Sequence, residues 1–175
     1  MCIRDRSIVA ESPGIVTEAL EYIFKKYGNI KVKNVVFYPK DERIQWRISL
    51  LKKVLKKRYS FVESKFYKLP IEDINEKNLR KFENFLKKTL KKFSNIIFNI
   101  SGGRKIMVIL VYNYLVKKLK NVKIIDIISY LSREEIGTLE DVLKEKFENG
   151  IELSEEEIRK YFFSDNKYKV IEIKV

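Results

Sequence analysis

Short apolar runs alternate with amphipathic stretches along most of this chain. Ser7-Ile8-Val9-Ala10 reads as a strand, and Glu11-Ser12-Pro13-Gly14 as the turn that closes it. Ile15 to Tyr27 follows, with Ile15, Ala19, Leu20 and Ile23 on one helical face. Gly28-Asn29 ends that helix. Lys33 to Tyr38 is a second strand, stopped by Pro39. Asp41 is placed to cap a helix running to about Lys57. Tyr59 to Tyr67 alternates weakly and is read as a third strand, closed by Leu69-Pro70. Asn75 to Phe93 is a long basic helix, Asn95 to Ile100 a fourth strand, Gly103 to Lys120 its following helix, and Val122 to Ser129 a fifth strand. The pattern then changes. Leu139 to Phe147 and Ser154 to Phe163 read as two short helices, the second opened by a Ser154-x-x-Glu157 capping box. Tyr168 to Val175 carries Val170, Ile171, Ile173 and Val175 and is read as a final strand.

Strand and helix in regular alternation predict an α/β fold: a mostly parallel sheet of about six strands, helices on both faces, right-handed crossovers. A chain of 175 residues suits one domain. We expect that domain over 7–175, with a short helical insertion near 138–163 before the last strand. Met1-Cys2-Ile3-Arg4-Asp5-Arg6 fits nothing downstream and is expected to be a non-native leader over 1–6.

Composition narrows the chemistry. There is one cysteine, Cys2, and no histidine. Neither a disulfide framework nor a Cys-ligated metal site is available, and His-based triads, His-metal sites and His acid–base pairs are excluded. No metal and no cofactor are expected. No apolar run approaches membrane-spanning length, so a cytoplasmic protein without a membrane partner is expected. The net charge of +13 favours anionic partners. Much of it sits in pairs such as Lys52-Lys53, Lys56-Lys57, Lys87-Lys88 and Lys117-Lys118, spaced as solvated helix faces; nonspecific nucleic-acid binding is the other reading of those faces.

The densest chemistry lies in Asn99-Ile100-Ser101-Gly102-Gly103-Arg104-Lys105-Ile106-Met107. A small-residue turn between a strand and a helix leaves backbone N–H groups at the positive end of the helix. Gly102 and Gly103 let the backbone approach a ligand closely, and Arg104 and Lys105 add charge. A phosphate is the natural guest. The spacing is neither that of a P-loop nor that of the dinucleotide fingerprint. In an open α/β sheet ligands bind beyond the carboxyl ends of the strands. The turns after strands one and four share one crevice if those strands are neighbours.

Together the two turns resemble a known family. Ala10-Glu11-Ser12-Pro13-Gly14-Ile15-Val16-Thr17-Glu18-Ala19-Leu20 is similar to the first loop and helix of CARF domains, the CRISPR-associated Rossmann-fold sensors. The stretch from Asn99 to Met107 is similar to their fourth-strand signature. The resemblance implies a Rossmann-like fold, a two-fold homodimer, and a cleft on the dimer axis that binds cyclic oligoadenylate, most often cyclic tetra-adenylate. Glu11, Ser12, Pro13, Gly14, Asn99, Ser101, Gly102, Gly103, Arg104 and Lys105 are the ligand-binding residues so implied. No effector domain is recognised, which resembles the stand-alone ring nucleases that cut this ligand without metal and switch type III CRISPR signalling off. In such an enzyme Lys105 and Arg104 would stabilise the phosphate, Ser12 would orient the ribose or phosphate, and Gly102 and Gly103 would give backbone donors. Ser12 is otherwise a helix cap. Two further functions stand beside this one: a non-catalytic sensor module for the same ligand, and a basic nucleic-acid-binding protein. Met107 is expected in the core, and Trp46 between a helix and the sheet. Tyr130 is placed to line the cleft. Asp41, Glu42 and Arg43 are read as cap and surface charge or as ligand contacts.

Overall fold

The computed structural model describes residues 2–8, 13–28, 30–70, 75, 77–90, 95–102, 105–118 and 121–173; for 2–8, Arg133 and Asn166 the backbone alone is considered. Its strands are β1 (Cys2–Ile8), β2 (Lys31–Tyr38), β3 (Glu63–Lys68), β4 (Ile96–Asn99), β5 (Val122–Ser129) and β6 (Tyr168–Ile173). Its helices are α1 (Gly14–Tyr27), α2 (Gln45–Arg58), α3 (Leu79–Leu90), α4 (Lys105–Lys118), α5 (Arg133–Glu148) and α6 (Glu155–Phe163). The sheet runs β3-β2-β1-β4-β5-β6. β1 to β5 are parallel, and β6 returns antiparallel to β5.

That order decides where the helices lie. The path β1-β2-β3 moves one way across the sheet and β4-β5 moves the other, so right-handed crossovers put their helices on opposite faces. The side chains agree. Val32 and Val36 of β2, Ile97 of β4 and Ile125 and Ile127 of β5 join the apolar cluster built with α1, α2, α5 and α6. Their neighbours Val35, Phe37, Ile96, Phe98 and Ile124 join a second cluster with Phe82 and Leu86 of α3 and Met107, Val111 and Leu115 of α4. Period-two alternation of nearly unbroken apolar strands thus feeds two cores, as expected for parallel strands covered on both sides.

Several expectations shift. The first strand spans Cys2–Ile8 rather than Ser7–Ala10, and takes the central slot between β2 and β4. The segment set aside as a leader therefore supplies most of β1's backbone. Arg4, Asp5 and Arg6 interrupt the apolar pattern that marks a central strand, but the ladder needs only extended backbone donors and acceptors. Val9 and Ala10 lie outside the described residues. β3 begins at Glu63, because Tyr59 ends α2 and Tyr59-Val62 forms a backbone-bonded turn. α3 starts at Leu79, behind a turn in which Asn75 Oδ1 accepts from the Lys77 and Asn78 amides at 3.1 Å. α5 begins at Arg133, six residues ahead of the expected Leu139. Ser132 and Glu135 form a capping box there, the same device seen at Ser154 and Glu157. Trp46 stacks on Tyr161 at 6.4 Å and meets Phe147, so it packs α2 against α5 and α6, not against the sheet. Met107 is in the core as expected. Among the described residues no helix is long and apolar enough to cross a membrane.

Candidate functional site

β1 and β4 are neighbours, with Ser7 paired to Asn99. The chain leaves β1 for one face of the sheet and β4 for the other, so the strand order reverses between them. Such a reversal opens a crevice beyond the carboxyl ends of the strands. α1 and α4 start from this edge, at Gly14 and Lys105.

On the α4 side, β4 ends at Asn99 and α4 opens at Lys105. Asn99 is 0 % exposed. Its Nδ2 donates to the Ile15 carbonyl at 2.9 Å, and its Oδ1 accepts from the Ser101 amide at 3.0 Å and from Ser101 Oγ at 2.6 Å. Ser101 Oγ in turn accepts from the Ile127 amide of β5. One buried amide side chain therefore joins the start of α1, the turn after β4 and strand β5. Gly102 is buried beside it. Lys105 is exposed and has no ion pair or hydrogen bond among the described residues.

On the α1 side, Pro13 and Gly14 are buried. A Cβ on Gly14 would stand 2.8 Å from the Tyr161 carbonyl, so the end of α6 lies directly against the first turn of α1. Thr17 Oγ1 lies 2.8 Å from the Gly14 carbonyl and also against that of Phe162; its single proton serves one of them at a time. Glu18, one turn into α1, is 1 % exposed. Burial pushes its carboxyl up to about 7, against the lowering effect of a hydrogen bond with Ser164; nearby Glu21 adds to the rise. Its Oε1 has no hydrogen-bond partner among the described residues. Ser164 also bonds Ser129 of β5 at 2.9 Å.

Of the residues expected to bind ligand, Pro13, Gly14, Asn99, Ser101, Gly102 and Lys105 come together at this edge. Glu11, Ser12, Gly103 and Arg104 lie outside the described residues. Asn99 and Ser101 spend their polar atoms inside the scaffold. Tyr130 is exposed just past β5. Asp41 caps the short helix Glu42–Ile44 and pairs with Arg43 at 2.7 Å, which makes this trio a local cap. The Thr17–Glu18–Ser164 cluster escaped sequence reading. Periodicity gave no signal for it: Gly14 to Leu20 is buried all round, so Thr17 is enclosed although it lies on the side of α1 away from Ile15 and Ala19. No group of three or more His, Cys, Asp or Glu suited to a metal occurs among the described residues.

A parallel sheet that reverses at β1/β4, flanked by two helix N-termini, defines a Rossmann-like architecture. The family model of CRISPR-associated protein NE0113 matches residues 12–161, and the chain belongs to that family. No curated protein matches the chain. Among solved structures, the fold is similar to Enterococcus italicus Csm6 bound to cyclic hexa-2'-fluoro-hexa-dAMP, with a TM-score of 0.52 and 14% identity over 100% of this chain and 42% of that one. It is also similar to a type III CRISPR defence DNA nuclease activated by cyclic oligoadenylate, with a TM-score of 0.51 and 11% identity over 74% of this chain and 18% of that one. The chain thus spans less than half the length of either. The CARF resemblance read from the two turns holds for family and fold.

Proposed function

We propose that this protein binds cyclic oligoadenylate, cyclic tetra-adenylate first, in a cleft shared by two copies, and cleaves it without metal to linear products in the cytoplasm. The observation that carries this reading is the braced turn Asn99–Gly102, which brings a buried glycine and Lys105, unpaired among the described residues, to the reversal point of the sheet. A glycine turn at a helix start suits a phosphate, and Lys105 suits charge on its oxygens. Cleavage would join the ribose 2′-oxygen to phosphorus and break the bond to the 5′-oxygen. The 2′-hydroxyl proton ends on the departing 5′-oxygen, leaving a 2′,3′-cyclic phosphate. In-line alignment supplies most of the acceleration, and no histidine is needed. Gly102, Gly103 and Arg104 would join Lys105 on the phosphate, with Glu11, Ser12, Pro13 and Gly14 forming the opposite wall.

The surface of α4 supports the shared cleft. Met107, Val111 and Leu115 face the core, yet Ile106, Ile109 and Val116 on the far side are exposed, Ile109 to 52 %. On the same side of the sheet Ile128, Ile171 and Ile173 are also exposed. An apolar helix leading straight from the site is a fitting seam for an isologous dimer, and a two-fold axis suits a ring ligand.

Single-turnover incubation with radiolabelled cyclic tetra-adenylate in EDTA tests the reading, with Lys105→Ala beside it. Conversion to linear product, slowed about a hundredfold or more in the variant, is expected. A non-catalytic sensor is the second reading, favoured by the partial coverage of the two larger neighbours; it predicts saturable binding and no product. The hexa-adenylate ring is the next ligand to test, since the Csm6 neighbour holds an analogue of it. Binding through the exposed lysine faces alone would instead weaken steeply with salt and ignore ring closure.

A further inference from the structure

We propose that Asn99 is a positioning residue that sets the spacing of the two ligand loops, and does not itself touch ligand. This deepens the reading above and rests on it for the ligand. An amide is the one neutral side chain with both a donor and an acceptor end at this length, and Asn99 uses both: the donor on the α1 side, the acceptor on the α4 side. The two helices lie on opposite faces of the sheet and share no core cluster. The Asn99 side chain is the polar link that crosses between their starts. Ser101 extends the link to β5, since its hydroxyl gives its proton to Asn99 and accepts from Ile127. A shift of the α1 turn is thereby transmitted to the backbone that presents Gly102 and Lys105. The Asn99 end of the link is buried, where a hydrogen bond is stronger than in water, and the Ser101 end is half-buried.

Asn99→Asp keeps the size and the acceptor but replaces the donor with a carboxylate oxygen that faces the Ile15 carbonyl. Ser101→Ala cuts the β5 end and is the milder change. Leu115→Ala, in the α4 core away from both loops, serves as a control of comparable loss in melting temperature. Affinities for labelled cyclic tetra- and hexa-adenylate are measured well below every melting point. The two loop variants are expected to bind about tenfold to a hundredfold more weakly, with Leu115→Ala within about twofold of the original chain. Unchanged affinity in Asn99→Asp, or an equal loss in Leu115→Ala, overturns the proposal. If the unsubstituted protein binds neither ring, the ligand reading has failed, and amide hydrogen exchange decides the link by itself. Asn99→Asp must then speed exchange both in the first turn of α1 and at Ile127. Faster exchange at one site alone, or at neither, refutes the link.

Discussion

Glu18 makes the stability of this fold depend on pH in a direction opposite to that of an ordinary carboxylate. Its side chain is 1 % exposed, and burial raises its carboxyl from 4.5 to about 7. In the unfolded chain the same group titrates near 4.5. Between those values the folded state holds a proton that the unfolded state has released, so stability falls as pH rises. Below about 4.5 both states are protonated and the group contributes no slope. Above about 7 both are ionised and the loss is complete. A rise of roughly two to three units corresponds to about 3 kcal/mol. Glu18→Gln replaces the carboxyl by a neutral group of the same length that still bonds Ser164. Urea unfolding of both proteins at intervals from pH 4.5 to 8.5 reads the difference directly, because every other carboxylate cancels. The variant should match the original protein near pH 4.5 and exceed it by about 3 kcal/mol at pH 8. Two curves offset by a constant amount across this range would sink the argument.

Other substitutions probe the remaining joints. Gly14→Ala sets a methyl 2.8 Å from the Tyr161 carbonyl, so a loss of about 1–3 kcal/mol is expected in urea unfolding; no loss would mean that α6 does not bear on α1. Glu140 accepts from Arg47 and from Tyr161, each at 2.7 Å, and Glu140→Ala strands both donors at a cost of about 1–3 kcal/mol, read by the same method. Ser132→Ala removes the cap of α5 and should cost about 1 kcal/mol, with hydrogen exchange rising first at 133–136. Ile109→Glu places a charge on the exposed face of α4 and should shift the protein to monomers in sedimentation, with its far-UV spectrum unchanged; a monomeric unsubstituted protein would refute the seam.

The α/β class was legible because the strands are apolar runs and the amphipathic helices between them repeat at 3.6 residues. That class allowed β1 and β4 to be neighbours, and the strand order makes them so. What escaped had specific causes. A central strand is normally marked by apolar residues, and Arg4, Asp5 and Arg6 hide β1 from any such reading. The start of α5 was missed although Ser132-x-x-Glu135 carries the same signature as Ser154-x-x-Glu157; without apolar residues in its first turn the box looked like loop. The reversed direction of β6 is a matter of topology, which strand composition does not encode. At the candidate site, residue types pointed to a turn that the sheet does set at its reversal, but not to which polar atoms were already taken. Asn99 and Ser101 look like ligand contacts in sequence. In the structure both spend hydrogen bonds on the scaffold, Asn99 on Ile15 and Ser101, and Ser101 on Asn99 and Ile127.

The sheet also acts as a partition. The cluster under α1, α2, α5 and α6 and the cluster under α3 and α4 draw on alternate residues of the same strands, and the backbone ladder keeps them apart. Away from the Asn99 link, damage to one apolar cluster is therefore insulated from the other. Paired substitutions such as Leu51→Ala with Leu86→Ala should add in free energy, while pairs within one cluster should interact. Over evolutionary time that insulation gives the two sides separate freedom to change. The four-helix side can be rebuilt, lengthened or exchanged while the side carrying α4 keeps its shape.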